Sequence, residues 1–491
     1  MNHYKIRIIY FTILLLVTCF SSKGQVLIGE QIKGKNIEDR FGSSVATNSD
    51  GSRIVVGSPG FSTNDNKNGY VNVYNNENGN WVIMGKTIDS PIMDARYGSS
   101  VSISKAGNRI AIGGPSGNIG GIAEIYDFKN NSWEKVGNTI TGETADSQFG
   151  SSIEMSEDGN MVAIGAPFDF GSFQNSGSVR VYKLIGNDWM QIGETINGET
   201  FAESSGSTLA LSADGKILII SAPNYNVTGN GSGIVRTYIL QNNQWLKLDS
   251  DIKGQEKDML GTSIDLSSKG LKLAIGASQL TSFNIGKGYV QVYEMINNEW
   301  IKIGQVLIGE QVNDNFGSAV SINSSGDLLT IGARRSDKLL KDAGKIDIYQ
   351  LKNNEWIQIG NSIYGDHESE GIGSQLMISG DGTTFIVGSQ FNDEVATNAG
   401  KVSVYNFNNL SSSLEMGNSR EIIAFPNPVQ HFMTIKHTDY NEFELLDFQG
   451  KIIKNLIIKD GQINFENLSS GVYYLICKSA INYKTIQVVK I

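Results

Sequence analysis

Carboxylates are the groups of this chain best placed, by type and spacing, to do chemistry. They gather in short segments just ahead of a recurring glycine: Glu38 and Asp39, Asp94, Glu143 and Asp146, Glu199 and Glu203, Glu256 and Asp258, Glu310 and Asp314, and Asp366, Glu368 and Glu370. Brought together, they could hold a cation or face a basic partner. Two of them at a defined separation could act as acid and as base or nucleophile on a glycosidic bond. The plainer reading, that exposed loops are acidic for solubility, carries more weight. Other catalytic chemistry is poorly supplied. Of four histidines only His367 lies among the recurring glycines, and it reads as a solvated loop residue. The two cysteines, Cys19 and Cys477, lie near the ends, which excludes disulfides, thiol nucleophiles and cysteine-based zinc sites from the region between. No Gly-x-Ser-x-Gly elbow, phosphate-binding glycine loop or HExxH pair occurs. Neither a metal nor a cofactor is expected.

A second set of residues suits binding. Phe61, Phe168, Phe170, Phe173, Tyr225, Phe283 and Phe391 fall in long segments that differ from one another, and one such segment instead carries Arg334, Arg335, Lys338 and Lys341. Aromatic rings there could stack on sugars or anchor a protein partner, or they could tuck their loops down. The phenylalanines with Tyr225, Arg334 and Arg335 are the candidate ligand-binding residues.

The elements that position these groups follow from a repeat. Glycines recur at Gly42, Gly98, Gly150, Gly206, Gly261, Gly317 and Gly373, a period of about 56 residues. Each copy has a turn glycine nine residues on, a small residue fifteen on, and a later Tyr; six copies add a Trp seven beyond that Tyr. In the third copy Phe149–Met155 reads as a strand and Asp158-Gly159 as a hairpin turn. Met161–Gly165 is a second strand, Ser178–Tyr182 an alternating third and Trp189–Ile196 a fourth. Four antiparallel strands repeated radially make a propeller blade. The expectation is an all-β chain with a seven-bladed β-propeller over residues 25–408, its long variable segments all on one face. The regular Trp and Tyr are blade packing.

The seventh copy stops at Tyr405-Asn406-Phe407-Asn408 with no fourth strand, whereas Ile28-Gly29-Glu30-Gln31-Ile32 matches Ile192-Gly193-Glu194-Thr195-Ile196. The N-terminal strand should therefore complete blade seven and close the ring. Residues 1–24 read as a signal peptide: Lys5 and Arg7 precede a 13-residue apolar run, Ile8 to Phe20, with Ser22-Lys23-Gly24 at the cleavage site. A lipoprotein signal ending at Cys19 is the competing reading. No other segment is long and apolar enough to cross a membrane. The formal net charge of -10 argues against a nucleic-acid partner.

Phe41-Gly42, Phe149-Gly150 and Phe316-Gly317, with Gly165-Ala166-Pro167 and the near matches Gly57-Ser58-Pro59 and Ser221-Ala222-Pro223, resemble the FG-GAP repeats of integrin α-subunits and of many bacterial exported proteins. That resemblance implies a propeller and leans toward adhesion. The calcium loops of that family have no counterpart, because turns such as Ser49-Asp50-Gly51-Ser52 offer too few oxygens for Ca²⁺.

After a polar linker at 409–420, residues 421–491 change character, with short β-rich runs that read as a small β-sandwich. Phe425-Pro426-Asn427-Pro428, Leu445-Leu446-Asp447-Phe448-Gln449-Gly450, Leu468-Ser469-Ser470-Gly471-Val472-Tyr473-Tyr474-Leu475 and the basic end at Lys490 resemble the C-terminal sorting domain of type IX secretion substrates in Bacteroidota. The resemblance implies Sec export, contact with the outer-membrane secretion machinery, and a product at the cell surface or released. The function expected is non-catalytic recognition of a glycan or protein. The alternatives are a polysaccharide-degrading enzyme using loop carboxylates and a purely structural surface protein.

Overall fold

The computed structural model describes residues 25–60, 68–117, 120–279 and 286–407, and within the tail 423–425, 429, 431–436, 442–447, 451–456, 462–465, 468–478 and 483–490. Every regular element among them is a β-strand. The chain divides into two units, Met1–Leu410 and Ser411–Ile491. No helix among the described residues is long and apolar enough to cross a membrane.

The first unit is a seven-bladed β-propeller, each blade one antiparallel sheet. In blade three Ser152–Met155, Met161–Ala166, Ser178–Ile185 and Asp188–Gln191 pair in that order from the inside outward. Paired asparagines make many of the hairpins between third and fourth strands. Asn130-Asn131, Asn242-Asn243, Asn297-Asn298 and Asn353-Asn354 all have both φ values positive, as a tight two-residue turn requires. Second strands such as Met161–Ala166 are buried along their length, and neighbouring blades bury wedges such as Val290, Val292, Ile303, Val320, Leu329 and Trp356 between them.

One sequence expectation needs correction. The fourth strand of blade three does not run unbroken from Trp189 to Ile196. It splits into Asp188–Gln191 and Ile196–Asn197, both paired with the third strand. The break lies at Gly193, whose φ is 71°; a Cβ there would come within 3.0 Å of the Trp245 ring of the next blade. The kink thus makes room for the neighbour's indole. Several of these tryptophans also fasten the preceding blade: Trp133 Nε1 donates to the Met84 carbonyl at 2.8 Å and Trp189 Nε1 to that of Val136 at 3.0 Å.

The ring closes with the N-terminal strand. Val26–Leu27 pairs with Asn406 and Tyr405, and Ile32–Lys33 with Val402 and Lys401. Trp81 of blade one grips this strand as its counterparts grip theirs, donating to the Ile28 carbonyl at 3.0 Å. Ile28 and Ile32 pack on a cluster of Phe41, Val402 and Val404.

Blades are also joined near the axis by hydroxyls. Ser44, Ser100, Ser152 and Ser263 donate to the carbonyls of Gly98, Gly150, Gly206 and Gly317 in the following blade at 2.7–2.8 Å.

In the second unit, Ile423–Phe425, Phe432–Lys436 and Gln462–Asn464 form one sheet. Ile452–Leu456, Glu442–Leu446, Gly471–Lys478 and Tyr483–Lys490 form another. Tyr473 is buried and donates to the Ser469 carbonyl at 2.7 Å, while Gly471 and Lys490 are paired across the last hairpin. Pro426, Asn427, Pro428 and Gly450 lie outside the described residues, as does the leader.

Candidate functional site

The acidic segments divide between carboxylates that turn inward and others, among them Glu143, Asp146, Glu256 and Glu310, that stay exposed. Five of their carboxylates, Asp39, Glu203, Asp258, Asp314 and Glu370, stand three residues before the repeated glycine, and all five are buried. Each turns inward to accept an N–H of its own loop: Asn36 to Asp39 at 2.9 Å, Glu199 to Glu203 at 3.0 Å, Gln255 to Asp258 at 2.7 Å, Gln311 to Asp314 at 2.9 Å and Asp366 to Glu370 at 3.0 Å. The third strand supplies further partners. The Arg236 guanidinium meets both oxygens of Glu203 at 2.7 and 3.1 Å, Tyr289 donates to Asp258 at 2.7 Å, and the Lys401 ammonium lies 2.9 Å from Glu370. These carboxylates tie loops to strands, because a buried charge persists only when it is paired and hydrogen-bonded. The grouping of Asp366, His367 and Glu370, close enough to share an ion, already holds Lys401, whose ammonium touches both acids.

Two other carboxylates, unremarkable in sequence, do face the axis. Glu154 and Asp265 project from inner strands into a channel that all seven blades line with serines and aliphatic side chains. The part of the channel nearest the strand starts has a volume of about 280 Å³. Asp265 accepts from Ile322 N–H and Ser321 Oγ, each at 2.7 Å, yet burial pushes its pKa up to about 6. Among the described residues Glu154 is met only by Ser102 Oγ at 3.5 Å; burial, then the neighbouring Asp265 charge, push it up to about 8. A carboxyl whose folded pKa is raised binds more protons folded than unfolded. Its contribution is complete below the unfolded value near 4.5 and is lost as pH rises through the folded one. The protein should therefore melt higher at pH 5 than at pH 8.5. Glu154→Gln should remove most of that difference and be the more stable protein at pH 8.5 by about 1–2 kcal/mol, after allowance for the water the channel admits. Melting curves of both proteins at the two pH values decide it; parallel shifts would clear Glu154 of the effect.

The candidate aromatics divide. Tyr225 is buried, 6% exposed, under the Arg236 guanidinium 5.6 Å from its ring. It tucks its loop down, the second of the two roles its sequence position allows. Phe391 is half-buried beneath Arg40, at 5.5 Å. Phe61 and Phe283 lie outside the described residues. Phe168, Phe170 and Phe173 stand out from the surface, 37%, 50% and 50% exposed.

The loop bearing these three is held firmly, and its fastener was not legible in the sequence. Asp169 looks like any loop acid, but it is buried and accepts from Ser178 Oγ at 2.7 Å, from Phe170 N–H at 2.9 Å and from Thr144 Oγ1 at 3.1 Å. Its backbone carbonyl accepts from Gly177 N–H at 3.1 Å. With Asp169 turned in, its neighbours Phe168 and Phe170 are turned out. They border a groove of about 560 Å³ whose other walls include Pro115, Asp146, Gln148, Gln174 and Asn175. Rings beside amides and one carboxylate can pack on an apolar face while the polar groups meet hydroxyls. Arg334 and Arg335 stand on blade six, away from that groove, where Arg335 pairs loosely with Asp342 at 3.5 Å.

Residues 423–491 match the secretion system C-terminal sorting domain. Such a tail marks its chain for type IX secretion, and so for the cell surface or the space beyond. No curated protein matches the chain in sequence. Among solved structures it is similar to a Bacteroides fragilis protein assigned as a 6-phosphogluconolactonase, at 12% identity and a TM-score of 0.48 over 89% of this chain and 98% of that one. A Bacteroides uniformis protein of the same assignment gives 13% and 0.47 over 67% and 87%. PorZ, a surface component of the type-IX secretion system of Porphyromonas gingivalis, gives 11% and 0.44 over 93% of this chain and 60% of that one. At such identities these likenesses say nothing of activity.

Proposed function

We propose that the exported propeller is a non-catalytic binding protein of the cell surface, and that its ligand is a glycan seated between Phe168 and Phe170. The observation that carries this reading is the pinned loop. Asp169 fixes two exposed rings beside an amide-lined groove, so the ring faces are set before any ligand arrives and little ordering entropy is lost on binding. The groove's lining includes one carboxylate, Asp146, whereas glycoside hydrolysis uses two; this favours binding over cleavage. The Phe-Gly and Gly-Ala-Pro elements support blades of the FG-GAP kind, whose adhesive members lean the same way.

A broad glycan array probed with the intact chain and with Phe168→Ala/Phe170→Ala is the test. Losing both rings should weaken the glycans that bind by roughly 30- to 150-fold, at about 1–1.5 kcal/mol per stacked ring. Equal binding by both proteins would remove the groove from consideration, and a blank array would move the ligand to the protein class.

A further inference from the structure

One side chain breaks the symmetry of the ring near the mouth of the axial channel. Seventeen residues after the opening glycine the blades carry Pro59, Pro115, Pro167, Pro223, Ser278, Arg334 and Gln390. Where this position is polar it meets a hydroxyl of the channel mouth: Ser278 Oγ lies 3.0 Å from Thr262 Oγ1, and Gln390 accepts from Ser43 Oγ at 2.8 Å. Arg334 is anchored in the same place, its backbone N–H donating to Ser318 Oγ at 3.3 Å.

Its guanidinium, however, has neither carboxylate nor hydrogen-bond acceptor among the described residues. The other buried cations of the ring are all paired: Arg180 with Glu143 at 3.0 Å, Arg236 with Glu203 at 2.7 Å, Lys345 with Glu310 at 2.8 Å, and Lys401 with Glu370 at 2.9 Å. Arg334 is half-buried, and burial, then the adjacent Arg335 charge, pull its pKa down. A cation so placed is short of a counter-charge.

Two further features surround it. Ser374 of blade seven stands to Arg334 as Ser43 stands to Gln390 one blade on. Its Oγ is buried, 8% exposed for the residue, has no hydrogen-bond partner among the described residues, and lines the channel. Second, the residue two before each opening glycine carries a side chain in six blades, namely Arg40, Arg96, Gln148, Ser204, Met259 and Asn315, but is Gly371 here. A Cβ on Gly371 would lie 3.5 Å from the Phe391 ring and 3.6 Å from the main-chain carbonyl oxygen of Arg334, so blade seven lacks a side chain next to the backbone that carries this cation.

We infer that Arg334, assisted by Arg335 and the free hydroxyl of Ser374, forms a site for one oxyanion group, such as a carboxylate or sulfate, in the space left open at Gly371. A guanidinium offers two parallel N–H donors to such a group. The site is separate from the Phe168 groove and does not rest on the reading of that groove. The chain's net charge of -10 works against diffuse attraction of polyanions, so binding of one reports a local site.

The test uses the intact chain at low ionic strength with three probes: potassium sulfate, a galacturonate hexasaccharide, and a neutral galactose hexasaccharide. Arg334→Pro installs the residue four other blades carry, and Gly371→Gln installs a side chain that another blade accepts at the same left-handed backbone position. Calorimetry should show the galacturonate probe binding at least 10-fold more weakly to either variant. The neutral probe should not distinguish them from the unaltered protein, and the dependence should persist in Phe168→Ala. Sulfate that alone raises the melting temperature of the unaltered protein but not of Arg334→Pro, with no further effect from the oligosaccharide, would assign the site to a free anion. If neither anion binds the unaltered protein, or both bind Arg334→Pro as tightly, the inference is overturned.

Discussion

Removing residues 25–34 should cost the propeller about 3–6 kcal/mol and lower its melting temperature by roughly 5 °C or more. The loss has identifiable parts. Ile28 and Ile32 leave the cluster around Phe41, Val402 and Val404. The bonds from Ile28 N–H to Val404 and from Gly34 N–H to Gly400, at 2.7 and 2.8 Å, go with the strand pairing. Trp81 loses the acceptor for its indole. The strand Lys401–Asn406 becomes a bare edge, ready to pair with another molecule, so the truncated protein should also elute as dimers or larger species. A melting temperature and elution volume equal to those of the intact chain would mean that the N-terminal strand is an accessory and the ring is closed by its blades alone.

The second large effect is expected at the seam between blades. Gly276→Val should cost about 3 kcal/mol or more. A Cβ at Gly276 would fall 2.2 Å from the Gly317 carbonyl oxygen and 2.4 Å from Ser263 Oγ, and the carbonyl belongs to the next blade's inner strand, which cannot yield without parting the blades. The same crowding, at 2.0–2.2 Å, holds at Gly57, Gly113, Gly165, Gly332 and Gly388. Blade four supplies the internal control. It carries Ser221 at this position, Thr208 replaces the bridging serine, and the hydroxyl-to-carbonyl bond to Gly261 lengthens to 3.3 Å while Thr208 and Ser221 bond each other at 2.7 Å. Ser221→Gly should accordingly stay within about 1 kcal/mol of the unaltered protein. Urea unfolding of both variants measures this. Equal midpoints for Gly276→Val and Ser221→Gly would show that the seam tolerates bulk and that the small residue reflects something else.

The period of glycine, tyrosine and tryptophan made the blades readable from the chain, because each residue answers to a contact repeated in every copy. Gly193 receives the next indole, and Gly276 receives the next carbonyl. Ring closure was readable for the same reason, since Gly29 occupies the place of Gly193. The candidate site was less legible, because sequence shows which residues a loop contains and not which way they turn. Asp258 and Glu370 look like solvated loop acids, yet they face inward toward Tyr289 and Lys401, some thirty positions along the chain. Tyr225 looks like an exposed ring and lies under Arg236. Phe168 and Phe170 turn outward because Asp169 between them turns inward, a matter of one buried hydrogen-bond set with no trace in the periodicity. Glu154 and Asp265 are not legible in sequence, because nothing sets a carboxylate on an inner strand apart from the outward-facing polar residues of a sheet.

The pairing that shuts the ring also sets an order of events in biogenesis. Gln31 and Ser403 bond across the closure at 2.9 Å, and 372 positions separate them. A chain threading outward from its N-terminus presents the first strand long before its mate exists, and contacts between such distant positions form late and slowly. The sorting segment at 423–491 follows that mate after a short linker. A chain interrupted anywhere within the blades therefore lacks its latch and its address together, so a translation product that cannot shut its ring also carries no ticket for the outer membrane.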